Sequence, residues 1–160
     1  MNNDAIITGF YTAFASGNAE KMIAYYHDDI IFYDPAFGKL VGNEAKAMWR
    51  MLIQQSNGKI DVQFSGIKTH DHSGTANWVA MYTFSRTGRK VVNRISSSFE
   101  FKDEKIIRHT DYFDLWKWSR QALGMPGVLF GWTQWMHAKI RRQCLGLLKK
   151  YMAKPDQNLH

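Results

Sequence analysis

The spacing of apolar residues changes period partway along the chain. From Asp4 to Ala15, Ile6, Ile7, Phe10, Tyr11 and Phe14 recur at three- and four-residue intervals, which predicts a helix with one apolar stripe. Ser16-Gly17-Asn18 ends it, and Asn18 is suited to cap a second, short helix over 19–27. After Asp28-Asp29, Ile30 to Tyr33 reads as a short strand. Gly38 and Gly42 mark turns around Lys39-Leu40-Val41. Asn43 stands where it can cap a third helix over 44–55, with Ala47, Met48, Met51 and Leu52 on its buried side.

Beyond Ser56-Asn57-Gly58 the period becomes twofold. Ile60, Val62 and Phe64 alternate with Asp61, Gln63 and Ser65, and Trp78, Ala80, Tyr82 and Phe84 alternate with the residues between them. Strands are predicted over 59–70, 75–85, 90–102 and 105–113, joined by turns at Asp71–Gly74, Arg86–Arg89 and Asp103-Glu104. Helices come first and a run of antiparallel strands follows, so the fold class is α+β. A strongly curved sheet wrapped around a helix would make a cone with an interior pocket. A short helix is expected over 115–123, a break at Gly124-Met125-Pro126-Gly127, and a long helix over 128–153 that Lys154-Pro155 stops. Residues 1–114 form the main body, and 115–160 a helical extension expected to pack on the same domain.

Charge separates the same two parts. Residues 1–114 carry 13 Lys/Arg and 13 Asp/Glu, whereas residues 115–160 carry 8 Lys/Arg and one acid, Asp156. The net charge of +7 is therefore a property of the C-terminal segment. Hydrophobic content of 45% and aromatic content of 14% call for a well-filled core or a pocket lined with rings. A single cysteine, Cys144, excludes an internal disulfide and fits a reducing compartment. The start MNNDAIITGF lacks the basic-then-apolar pattern of a signal peptide, and the cytoplasm is the expected location.

Candidate chemistry lies in two places. Asp34, followed by Pro35 and flanked by Phe32, Tyr33 and Phe37, is either a turn-former or a base in a dry pocket. His109 and Asp111 are two apart on a strand, so they share a face with Phe113, while Arg108, Thr110 and Tyr112 take the other. His70-Asp71-His72 is a turn without further ligands nearby, and no metal or cofactor is expected. The basic C-terminal helix has three readings: a helix packed across the cone, which is favoured, a contact with an anionic membrane surface through Trp132 and Trp135, or a contact with an anionic partner. No recognition motif accompanies the charge, so nucleic acid is not an expected partner.

The segments AFASGNAEKMIAYYHDDIIFYDPAFGKLVGNEA and FEFKDEKIIRHTDYFD, with the order of elements over residues 4–114, resemble the NTF2-like superfamily. Within it the chain is similar to ketosteroid isomerases and SnoaL-like polyketide cyclases, and DYFDLWKWSRQALGMPG looks like an extension found on many SnoaL-like proteins. The resemblance implies a cone-shaped fold and a homodimer formed through the outer face of the sheet. It implies Asp34 as general base, Tyr11 as oxyanion donor, and Asp111, with His109 beside it, as an alternative acid/base. Counting back five residues from Asp103 places Ser98 where the isomerases have a second donor, a departure from their aspartate. Phe113 matches a pocket aromatic, and Phe32, Trp49, Trp78 and Arg94 complete the expected lining. Arg94-Ile95-Ser96 lacks the acid of the Arg-x-Asp that related epoxide hydrolases need. The function expected is cofactor-free acid/base chemistry, as an isomerase, cyclase or dehydratase, on a small hydrophobic carbonyl compound. The alternative is a non-catalytic module that binds such a molecule, associated with a membrane surface through its basic helix.

Overall fold

The computed structural model describes residues 2–155, so Asp156 lies outside the described residues. Three helical segments and a short hairpin lead into the long strands. Helix α1 (Asn3–Ala15) starts where the Asn2 side chain accepts the Asp4 N–H, and it buries Ile6, Ile7, Phe10, Tyr11 and Phe14. Helix α2 (Ala19–Ile23) is capped by Asn18, as its sequence position predicts. It is shorter than expected, because strand β1 begins at Tyr26 and runs to Asp34. The backbone around Tyr25 and Tyr26 is claimed by Ile106, whose N–H donates to the Tyr25 carbonyl, and this non-local pairing overrides local helix propensity.

Strand β2 (Gly38–Val41) folds back on β1, pairing Gly38 with Asp34, where the sequence suggested only turns. Helix α3 (Asn43–Ser56) is preceded by Gly42 at φ 58°, so Asn43 is its first residue and not its cap. Strands β3 (Asp61–His70), β4 (Ser73–Phe84), β5 (Arg89–Lys102) and β6 (Lys105–Tyr112) form the expected antiparallel meander. Asp103 and Glu104 both take positive φ between β5 and β6, as a tight hairpin requires.

The sheet order is β2-β1-β6-β5-β4-β3, and β1 runs parallel to β6. The sheet is therefore mixed, not wholly antiparallel. It is curved and unclosed, with register breaks in β1, in β3 near Gly66 and between β5 and β6. Its buried face holds α1 and α3, and Phe10, Tyr11, Trp49, Phe32, Trp78 and Phe99 meet there in one core.

The C-terminal segment differs most from expectation. Helix α4 (Leu115–Leu123) is as predicted, but the single long helix is two: α5 (Met125–Phe130) and α6 (Gln134–Ala153). Thr133 caps α6 through its side chain, which accepts the Met136 N–H. Gly127 lets α5 lie against α4: a Cβ there would stand 2.0 Å from the Ser119 carbonyl oxygen. Leu115, Met136, Ile140 and Leu148 join the main core, and α6 contacts α3. Among the described residues, no helix is long and apolar enough to cross a membrane.

Candidate functional site

The cross-strand registers arrange the buried face in rows. Phe99 pairs with His109, and His109 with Phe32. In the next row Ala76 pairs with Ser97 and Ser97 with Asp111. The parallel register that sets Phe32 beside His109 and Tyr33 beside Thr110 carries Asp34 level with Asp111. Two acids from neighbouring strands thus point into one aromatic interior, with Asp34 9% and Asp111 3% exposed.

Asp111 ends a chain of hydrogen bonds. Ser97 Oγ donates to its Oδ1 over 2.5 Å, and His109 Nε2 lies 2.7 Å from the same oxygen. Ser97 Oγ in turn accepts from the Tyr11 hydroxyl at 2.7 Å and from Trp78 Nε1 at 2.9 Å. On the other side Tyr26 OH lies 2.7 Å from His109 Nδ1 and accepts from Trp49 Nε1 at 2.8 Å. One assignment satisfies every group: His109 is neutral with its proton on Nε2, Tyr26 donates to Nδ1, and all donors run toward Asp111. The His109 ring is enclosed by Phe99 at 4.5 Å, Phe32 at 5.2 Å, Phe10 at 5.4 Å and a stacked Trp49 at 6.1 Å. Burial, with the Asp111 charge adding to it, holds both the Tyr11 and Tyr26 hydroxyls well above the usual phenol range. They remain neutral donors.

Asp34 is held differently. Its Oδ1 accepts the backbone N–H of Phe37 at 2.6 Å and of Ala36 at 2.9 Å, which shapes the β1–β2 turn. Burial pushes its carboxyl from 3.8 up to about 7; the Phe37 N–H opposes this, Asp111 adds to it, and Ala36 and Arg141 oppose it. Residue 34 is therefore both the turn-former and the acid in a dry site that the sequence offered as alternatives. Helix α6 lies over it. The Cys144 thiol feels the Asp34 charge and is pushed up to about 12, chiefly by burial, and Arg141 Nε stands 3.2 Å from where a Cβ on Gly38 would be. Tyr82, bonded to Trp118 Nε1 at 2.8 Å, also feels the Asp34 charge.

Of the residues expected to form the site, Asp34, Tyr11, His109, Asp111, Phe32, Trp49, Trp78 and Phe113 are all buried in this core. Ser98 and Arg94 are not part of it. Both are exposed, because β5 turns its odd-numbered residues from Val91 to Phe101 inward. Counting from Asp103 sets the wrong parity, whereas alternation from Phe99 and Phe101 selects Ser97. Tyr26 was also missed, having been assigned to a helix. Aromatic rings crowd the interior around His109. Two depressions in the surface, of about 660 and 340 Å³, are lined by neither Asp34 nor His109. Among the described residues no three of His, Cys, Asp and Glu converge to hold a metal ion.

Solved structures share this architecture. A candidate polyketide cyclase from Xanthomonas campestris pv. campestris is 22% identical, with a TM-score of 0.60 over 73% of this chain and 93% of its own. A hypothetical protein of ketosteroid isomerase-like fold from Catenulispora acidiphila, in complex with trimethylamine, is 17% identical, with a TM-score of 0.62 over 80% of this chain and 96% of its own. An LEH-like epoxide hydrolase from M. tuberculosis is 16% identical, with a TM-score of 0.57 over 78% of this chain and 90% of its own. At these identities the likeness is one of fold. No curated protein matches the chain. The family model of the SnoaL-like domain matches residues 7–109, well over half of the chain, and the protein belongs to that family.

Proposed function

We propose that this protein is a cofactor-free acid/base enzyme, an isomerase, cyclase or dehydratase, acting on a small hydrophobic carbonyl compound, with Asp34 as the proton acceptor. The observation that carries this reading is the position of Asp34. It is a buried acid that titrates near neutrality and stands level with a second acid on the same face, under α6. The hydrogen bonds of the Asp111 chain all run toward its Oδ1, so Asp111 orders its neighbours, while Asp34, which burial pushes up to about 7, exchanges the proton. Tyr11 and His109 are already engaged with Ser97, Asp111 and Tyr26, and they act by fixing the field at the site. Substrate reaches Asp34 by displacing the part of α6 that carries Arg141 and Cys144.

A second reading is a non-catalytic module that binds an apolar metabolite. It is favoured by the closed hydrogen bonding of the network, since every polar group of the chain from Trp49 to Trp78 has a partner within the protein and none is left free for chemistry. A homodimer through the outer sheet face fits either reading and is supported by the exposed Tyr33, Val92 and Tyr112.

The test is a thermal-shift screen against phenols, enones, quinones and fatty acids with wild type and Asp34→Asn, followed by solvent deuterium exchange into any enone that binds. An enzyme loses exchange on Asp34→Asn while keeping affinity. A binder shows no exchange in either protein. If no compound raises Tm and the two proteins behave alike toward all of them, the acid is structural and the proposal fails.

A further inference from the structure

Outside the Asp34 site, the most unusual surface is the segment 125–135. Met125, Val128, Leu129, Phe130, Trp132 and Trp135 are each 43% to 65% exposed, within eleven consecutive residues. Isolated exposed apolar residues are ordinary, but a contiguous run of this size marks a contact surface.

Several polar groups at the turn of this run are satisfied locally. Trp132 Nε1 donates to the Leu129 carbonyl at 3.1 Å, Thr133 Oγ1 donates to the Phe130 carbonyl at 2.6 Å, and His137 Nε2 donates to the Gly131 carbonyl at 2.7 Å. The turn between α5 and α6 can therefore leave water without carrying those groups unpaired.

Cations flank the run. A depression of about 660 Å³ is lined by Arg89, Lys90, Lys117 and Arg120, with Gln121 and no acid. Arg89 Cζ stands 3.4 Å from where a Cβ on Gly124 would be, and Gly124 directly precedes Met125. Arg120 lies over the Trp116 ring at 4.5 Å, and Lys139 over the Trp135 ring at 5.3 Å.

We propose that residues 125–135 and the adjoining cationic groove dock this protein on an anionic lipid surface. The apolar side chains enter the boundary between headgroups and acyl chains, and the groove receives headgroup phosphates. Charge decides against a second copy of this chain as the occupant, because a twofold contact through this patch would set the cations of one copy against those of the other. The surface shares no residue with the Asp34 site, so the proposal stands apart from the enzymatic reading. The run includes Trp132 and Trp135, the residues that the sequence offers for membrane contact, while α6 turns Met136, Ile140 and Leu148 into the core.

The test is co-sedimentation of the full chain with phosphatidylcholine vesicles, with and without about 30% phosphatidylglycerol, at low and high salt. The expected result is binding to the anionic vesicles at least tenfold tighter than to the neutral ones, weakened by salt. Phe130→Glu and the double change Lys90→Glu/Lys117→Glu should each cut it at least tenfold, since each surface cation contributes about fivefold. Unchanged urea midpoints confirm that the variants fold. Should a variant not fold, the wild type alone decides: tryptophan emission must shift to the blue and be quenched by lipids brominated along the acyl chains. Equal binding to both vesicle types, no binding at low salt, or no quenching overturns the proposal. So does a wild-type dimer that Phe130→Glu converts to monomer, which would make the patch a self-contact.

Discussion

Asp34→Asn separates the two roles of this residue. An asparagine carbonyl can accept the Ala36 and Phe37 N–H groups as Oδ1 does, so the turn keeps its partners. It cannot ionise. Burial lifts Asp34 from 3.8 to about 7 in the folded protein, while in the unfolded chain it returns to the ordinary carboxylate range. Between those values the folded protein holds a proton that the unfolded chain has released, so stability falls as pH rises. The penalty is absent below about pH 4 and complete above about pH 7. At about 1.4 kcal/mol per tenfold change, the rise corresponds to about 4 kcal/mol. Asparagine carries no such penalty. Urea unfolding, followed by tryptophan fluorescence from about pH 4 to pH 8.5, should show the variant gaining on the wild type as pH rises. The gain should level off near 4 kcal/mol, or about 10 °C in Tm for a chain of this size. Other acids titrate alike in both proteins and cancel in the difference. A difference that stays flat with pH would refute a raised Asp34, and with it the physical basis for its role as base.

Ser97→Ala should cost about 1–3 kcal/mol in urea unfolding, because it leaves Tyr11 and Trp78 without an acceptor and removes one of the two donors to Asp111, whereas Ser98→Ala should stay within about 0.5 kcal/mol. Tyr26→Phe removes the acceptor of Trp49 Nε1 and the donor to His109 Nδ1, and should cost about 2 kcal/mol or more by the same measurement. The Cys144 thiol, pushed up to about 12, should react with a thiol reagent at pH 8 about a thousandfold more slowly in the native protein than after unfolding. A native rate near the unfolded one would mean that α6 does not hold Cys144 against the core.

Where the apolar period is long and local, the sequence is readable. The stripe of α1 and the alternation of β4, β5 and β6 predict both the elements and the faces they bury, and the same alternation sends His109, Asp111 and Phe113 inward. Three features escape it for separate reasons. The start of β1 is hidden although Tyr26 keeps the inward parity of Ile30, Phe32 and Asp34, because the polar run His27-Asp28-Asp29 separates it from the apolar stretch and its register breaks between Tyr26 and Ile31. The parallel pairing of β1 with β6 joins residues some eighty positions apart, and no local period encodes such a contact. The break between α5 and α6 is masked because Val128, Leu129, Trp132, Trp135 and Met136 continue a helical spacing through Gly131. Thr133, a good cap, was the available signal. Ser97 was legible from its own strand and was lost only by counting from the turn.

The arrangement of donors bears on which acid does the work. A residue that takes up and returns a proton needs both of its states to be accommodated. Asp111 Oδ1 receives Ser97 and His109 at once, and each of those is held by a donor behind it. Placing a proton on that oxygen would require reversing the chain from Tyr11 and Trp78 on one side or from Tyr26 and Trp49 on the other. An indole N–H has no second state in which it accepts. The two tryptophans therefore act as fixed ends that set the direction of the whole network. Asp34 Oδ1 likewise takes two donors, but they are the backbone N–H groups of Ala36 and Phe37 and no indole stands behind them. The same sheet row thus carries one acid tied into a directed side-chain network and one held by a backbone turn, whose carboxyl burial pushes up to about 7. That difference supports the proposal that the second acid, Asp34, exchanges the proton.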